Sequence, residues 1–158
     1  MQIIAFTMEY PPARFIGSEV MTHRLLLELR EAGHDVLVLV RDADPEAAWE
    51  FEGIPVQHRT APRPHADLVI CHVDLANRAY AAARRFRAPL VGICHNDGPT
   101  VRHNLERIPF SGVIVNSESM RASLGAEGAI VVNPPMRDHR QPRSEQGRPL
   151  LAHRAPAA

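Results

Sequence analysis

The sequence predicts a single α/β domain with a doubly wound, mostly parallel sheet of about seven strands. Three observations carry that expectation. Short apolar runs rich in β-branched residues recur along the chain, among them DVLVLV at Asp35–Val40 and GVIV from Gly112. They are continuous rather than alternating, as strands buried on both faces are. Segments of helical spacing separate several of them, and such an alternation favours parallel strands joined by helices. A length of 158 residues suits one domain with a real core.

Taken in order, Gln2–Thr7 is the first buried strand, and Met8–Gly17, with Pro11, Pro12 and Gly17, is a loop. Ser18 stands at the N-cap of a helix, where a hydroxyl satisfies free backbone N–H groups. Its apolar stripe is Met21, Leu25, Leu29 and Ala32, with Arg24, Glu28 and Glu31 off the stripe. Gly33 ends it. Asp35–Val40 is the second strand and Ile54–His58 the third. Between them, Glu46, Glu50 and Glu52 around Trp49 read as a solvated stretch. Asp67–Cys71 is the fourth strand, and Ala76, Ala79, Tyr80, Ala83 and Phe86 mark the next helix. Pro89–Cys94 and Gly112–Asn116 are the fifth and sixth strands. A short helix runs from Ser117 to about Leu124, and Ala129–Val132 is the seventh strand. Right-handed crossovers favour the order 3-2-1-4-5-6 for the first six. Arg137–Ala158, rich in Arg, Pro, Gln and Ala, reads as a linker or disordered tail, which leaves residues 1–136 as the domain.

Composition excludes several function classes. The formal net charge is zero, so no basic surface advertises nucleic acid. All 18 basic residues are arginine, and a Walker-type phosphate loop needs a lysine. The two cysteines, Cys71 and Cys94, end apolar runs, where buried thiols are the common outcome, and suggest no disulfide scaffold. No run approaches the roughly 20 apolar residues of a membrane span. The N-terminus lacks the basic and apolar regions of a signal peptide, so a cytoplasmic location is expected.

In such a sheet, ligands bind beyond the carboxyl ends of the strands, where the strand order reverses. That places Glu9, Ser18, Glu19, His72, Asp74, His95, Asn96 and Asp97 on one edge. Gly17 and Ser18 sit at a helix N-terminus, whose free N–H groups attract anions. Gly17 serves equally as a plain turn residue. His95 suits a sugar hydroxyl or a proton transfer, and suits equally a bond to nearby backbone. Cys71-His72 and Cys94-His95 end neighbouring strands and invite a zinc reading. Against it, consecutive strand residues point to opposite faces. No G-x-S-x-G elbow and no clear carboxylate pair is present, so the residues themselves mark a binding crevice and no catalytic machine. The expected metal and cofactor complement is none.

Four segments, in this order, carry a family resemblance. They are FTMEYPPARFIGSEVMTHRLLLELREAGHDVLVLV, ADLVICH, APLVGICHND, and GVIVNSESMRASL followed by IVVNPP. Over Met1 to about Met136 they resemble the N-terminal domain of the family-4 glycosyltransferases, which have the GT-B fold. The resemblance implies a Rossmann-like domain on the acceptor side of a retaining, nucleotide-sugar-dependent transferase. It implies that Gly17 approaches the donor phosphates or sugar and that His95 contacts the donor sugar. Glu19 then matches the glutamate of the glycine turn, and His72 lines the cleft. The donor/acceptor-binding set is Gly17, Ser18, Glu19, His72, His95 and Asn96.

Two departures stand out. Ile16 occupies the place of the turn's first glycine, and against the family pattern its Cβ is expected to narrow the approach to the donor. The nucleotide-binding half of the family carries two glutamates spaced E-x7-E, and no pair here has that spacing. Arg148–Ala158 faintly resembles the first strand of that half. The expected partners are therefore a nucleotide-sugar donor, a sugar or lipid acceptor, and a separate C-terminal domain or a second copy in a homodimer meeting at the strand-end edge. The alternative is a non-catalytic carbohydrate-binding or regulatory domain.

Overall fold

The computed structural model describes residues 1–13, 17–61 and 65–133. Ile16 and the tail from 137 lie outside the described residues, as do the last residues of the fourth family-like segment.

The chain forms an α/β sheet of eight strands. They are β1 Gln2–Thr7, β2 Asp35–Val40, β3 Ala48–Phe51, β4 Ile54–His58, β5 Leu68–His72, β6 Leu90–Cys94, β7 Gly112–Val115 and β8 Ile130–Val131. The helices are α1 Gly17–Glu31, α2 Ala76–Phe86, α3 Pro99–Arg107 and α4 Glu118–Leu124, with a 3-10 turn at Val73–Leu75. The strand order is β3-β4-β2-β1-β5-β6-β7-β8, and every pairing is parallel except β3 with β4. The order reverses at β1, which lies between β2 and β5. None of the described helices is long and apolar enough to cross a membrane.

Alternation along the buried strands sorts side chains between two faces. Ile3, Ala5, Val38, Val56, Ile70 and Ile93 pack with Met21 and Leu26 of α1. Ile4, Phe6, Leu39, Val69, Cys71 and Leu90 pack with Ala76, Ala79, Ala82 and Ala83 of α2. Small alanines let α2 approach the sheet closely, and each buried large aliphatic side chain contributes about 1.5–3 kcal/mol.

Several expectations are corrected. The eighth strand, β3, lies where the carboxylates suggested a solvated stretch. Ala48 and Glu50 are exposed, while Trp49 and Phe51 alternate inward and pack against the α1-side core. That period-two pattern is an edge strand with one face buried. Glu52 and Gly53 turn the hairpin at φ 47° and 78°, the left-handed pair that a tight two-residue turn requires.

In α1 the helix already includes Ser18, whose hydroxyl donates to the Glu19 carboxylate at 2.6 Å, so Ser18 is no N-cap. The buried residues of α1 are Glu19, Met21, Thr22, His23 and Leu26. Leu25 and Leu29 are only partly buried and Ala32 is exposed, so the stripe is rotated from the purely apolar one. Helix α3, between the fifth and sixth expected strands, turns Val101 and Leu105 to the core, and Asn104 takes a core position beside them. Its side-chain Nδ2 donates to the Val73 carbonyl at 2.7 Å. Ser117 does cap α4, accepting from the Met120 N–H.

Gly92 sits where the strap after β5 meets the end of α3. A Cβ there would lie 2.8 Å from Val73 Cγ2 and 2.9 Å from Phe110 Cε1. Gly92→Ala is therefore expected to destabilise the fold by about 1–3 kcal/mol, the usual cost of overpacking. Urea unfolding checks this, and an unchanged midpoint would contradict the close approach.

Candidate functional site

The C-terminal ends of β1, β5 and β6 converge where the strand order reverses. On β5, Ile70 faces α1 and Cys71 faces α2. By alternation His72 faces α1. On β6, Ile93 faces α1 and Cys94 joins the cluster with Val73, Val101 and Val115. His95, one residue on, returns to the α1 side. Both histidines thus emerge on one face and both thiols on the other.

The two imidazoles meet edge to face, with centroids 4.4 Å apart at 76°. Thr22, a buried residue of α1, reaches both. Its Oγ1 lies 2.9 Å from His72 Nε2 and 3.4 Å from His95 Nε2. Thr22 is five residues, about 7.5 Å of helix rise, beyond Gly17. The first turns of α1 therefore join Gly17 to the histidine pair.

Burial pushes the His72 imidazole down to about 3, helped by the neighbouring His95, and burial brings His95 down to about 4. Both rings are uncharged at neutral pH. Each then offers one donor and one acceptor, which suits hydroxyl groups and not a strong anion. Beside them, Thr7 continues the α1-side series of Ile3 and Ala5. It sits one step beyond the Phe6–Cys71 pair, level with His72. Its hydroxyl is buried, 1% exposed, with no partner among the described residues.

The other expected residues are arranged differently. Gly17 is exposed, and a Cβ built on it would meet nothing within 4 Å among the described residues. Glu19 is buried and takes the Ser18 hydroxyl. Asn96 is exposed and turned along the rim. It accepts from the Gly98 N–H at 2.9 Å and donates to Asp74 at 3.4 Å. Asp97 leaves the crevice altogether, accepting from Ser123 and Arg102 and tying α3 to α4. Ser123, the leading contact, holds its carboxyl below the usual range. Cys71 and Cys94 are buried free thiols. Burial raises Cys71 far above the ordinary thiol range and Cys94 to about 12, so neither is a thiolate near neutrality. Among the described residues, no three His, Cys, Asp or Glu gather as a metal-ligand set.

A second polar line was not legible beforehand. The Tyr10 hydroxyl lies 2.7 Å from His23 Nδ1, and His23 Nε2 lies 3.0 Å from Glu52. An imidazole that gives its Nε2–H to a carboxylate leaves Nδ1 to accept the phenol proton. Burial, with Glu52 adding to it, keeps the Tyr10 phenol protonated well above its ordinary range. Trp49 Nε1 donates to the Pro11 carbonyl at 2.9 Å. The β3–β4 hairpin thereby fastens the segment at Tyr10 and Pro11 after β1. The only signals were a histidine among helix apolar residues and a tryptophan among acids.

No protein-family model and no curated protein matches this chain.

The histidine pair implies a pH dependence of stability. Each ring's folded value lies below the 6.5 of a free imidazole. The unfolded chain therefore binds more protons as pH falls from about 6.5 to about 4, and the fold loses stability there. Urea midpoints are expected to fall across that window, and to fall less in His95→Gln. An equal fall in wild type and variant would contradict this.

Proposed function

We propose that this chain is the acceptor-side, N-terminal domain of a retaining, nucleotide-sugar-dependent glycosyltransferase. Its sheet would be the doubly wound, Rossmann-like half of a GT-B enzyme. The observation that carries this reading is the uncharged His72–His95 pair, held by the helix that begins at Gly17. The first three of the four ordered segments support it, because they supply Thr22, His72 and His95, the residues that meet. Neutral imidazoles recognise hydroxyls in either sense without desolvating a charge. In this reading His95 binds a sugar hydroxyl, the buried His72 lines the cleft beside it, and Gly17 approaches the donor. The diphosphate contacts would come from a nucleotide-binding domain.

A second reading is favoured by the same low basicity. Imidazoles held neutral to about pH 4 are poor proton donors near neutrality. That suits a carbohydrate-binding or regulatory domain without catalysis of its own.

Sugar transfer separates the two. The chain is assayed with nucleotide sugars and glycan acceptors, alone and with a nucleotide-binding GT-B half supplied in trans. Transfer that drops roughly fivefold in His95→Ala, about the worth of one hydrogen bond, supports the transferase. Saturable glycan binding with no transfer in any pairing supports the binding domain and removes the enzymatic reading.

A further inference from the structure

One hydroxyl lies against two imidazole nitrogens, and a hydroxyl has only one proton. Thr22 Oγ1 faces the Nε2 of His72 at 2.9 Å and the Nε2 of His95 at 3.4 Å. If both nitrogens were bare acceptors, one would be left without a hydrogen bond. At least one must carry its own proton on Nε2, so the two rings cannot choose their tautomers independently. The edge-to-face contact at 4.4 Å keeps both rings on the shared oxygen.

Contact length separates the roles, because an O–H donor makes a shorter hydrogen bond than a ring N–H. His72 is 5% exposed, at the level of the α1-side core, where an unmade hydrogen bond costs about 1–3 kcal/mol. Its contact with Thr22 is also the shorter one. The Thr22 proton therefore goes to His72 Nε2, which places the ring hydrogen of His72 on Nδ1. His95, half-buried and nearer solvent, must then donate its Nε2–H to the remaining lone pair of Thr22. That leaves His95 Nδ1 as a bare acceptor.

We propose that Thr22 is a positioning residue: its single hydroxyl holds His72 and His95 in opposite tautomers and presents His95 Nδ1 as an acceptor for a ligand O–H. The ligand class that fits is a neutral hydroxyl compound that donates to His95. A ligand whose group at that point can only accept, such as a carboxylate or a dianionic phosphate, meets a lone pair and is disfavoured. The identity of that ligand as a sugar rests on the transferase reading; the coupled tautomers do not.

The test uses the full chain with no sugar present, so it can fail while the transferase reading stands, and the reverse. Ring-nitrogen NMR is recorded for wild type, Thr22→Val and Thr22→Ser. In wild type the expected pattern is a pyrrole-like Nε2 and pyridine-like Nδ1 for His95, with the opposite assignment for His72. Thr22→Val should lose that opposition, both rings moving toward a common tautomer mixture, and Thr22→Ser should restore it. The wild-type spectrum decides by itself if Thr22→Val fails to fold: two rings in the same tautomer overturn the proposal. An opposite pattern that persists unchanged in a folded Thr22→Val also overturns it.

Discussion

The rest of the site depends on the two-residue period of buried parallel strands. On β5 and β6 the register pairs Cys71 with Gly92 and His72 with Ile93. With that register, a Cys-His step at each strand end sends the thiols toward one side and the imidazoles toward the other. A slip of one residue in β6 would turn His95 away from His72 and leave Thr22 with a single partner. The register is in turn held by the apolar faces on both sides. Ile70 and Ile93 are committed to α1, and Val69, Cys71 and Leu90 to α2.

This constraint links the core to the chemistry. The residues that bury the histidines also keep them neutral, which leaves each ring one donor and one acceptor at the point where the strand order reverses. Helix α1 enters twice. Met21 and Leu26 seal the core, and Thr22 on the same buried side holds the imidazoles. The β3–β4 hairpin holds Pro11 through Trp49 and His23 of α1 through Glu52. Hairpin, helix and crevice are thus one connected arrangement.

Much of the fold was legible because its signals are local. DVLVLV, LVIC and GVIV have few alternatives to a buried strand, and Gly33, at φ 86°, closes its helix as expected. What was not legible depends on partners distant in sequence. Asn104 and Thr22 are polar residues in core positions, accepted only because Val73 and His72 satisfy them from 31 and 50 residues away. An apolar-periodicity reading therefore leaves Asn104 out of the core face of α3 and rotates the stripe of α1. Trp49 and Phe51 were hidden among glutamates, and only their pairing with β4 makes them an edge strand. At the crevice, alternation foresaw that the two Cys-His pairs would divide between faces. It gave no sign of the hydroxyl that joins the histidines, nor that Asp97 would turn away toward Ser123.

The central claim is that the crevice at the ends of β1, β5 and β6 binds a neutral, hydroxyl-rich ligand through His72, His95 and the start of α1. The most direct measurement is a backbone and imidazole NMR titration of the full chain with a panel of neutral oligosaccharides and nucleotide sugars. The account predicts saturable shifts confined to Gly17, Thr22, His72 and His95 and their neighbours for at least one of them. Saturable shifts that map elsewhere, or no shifts across the panel, would contradict it.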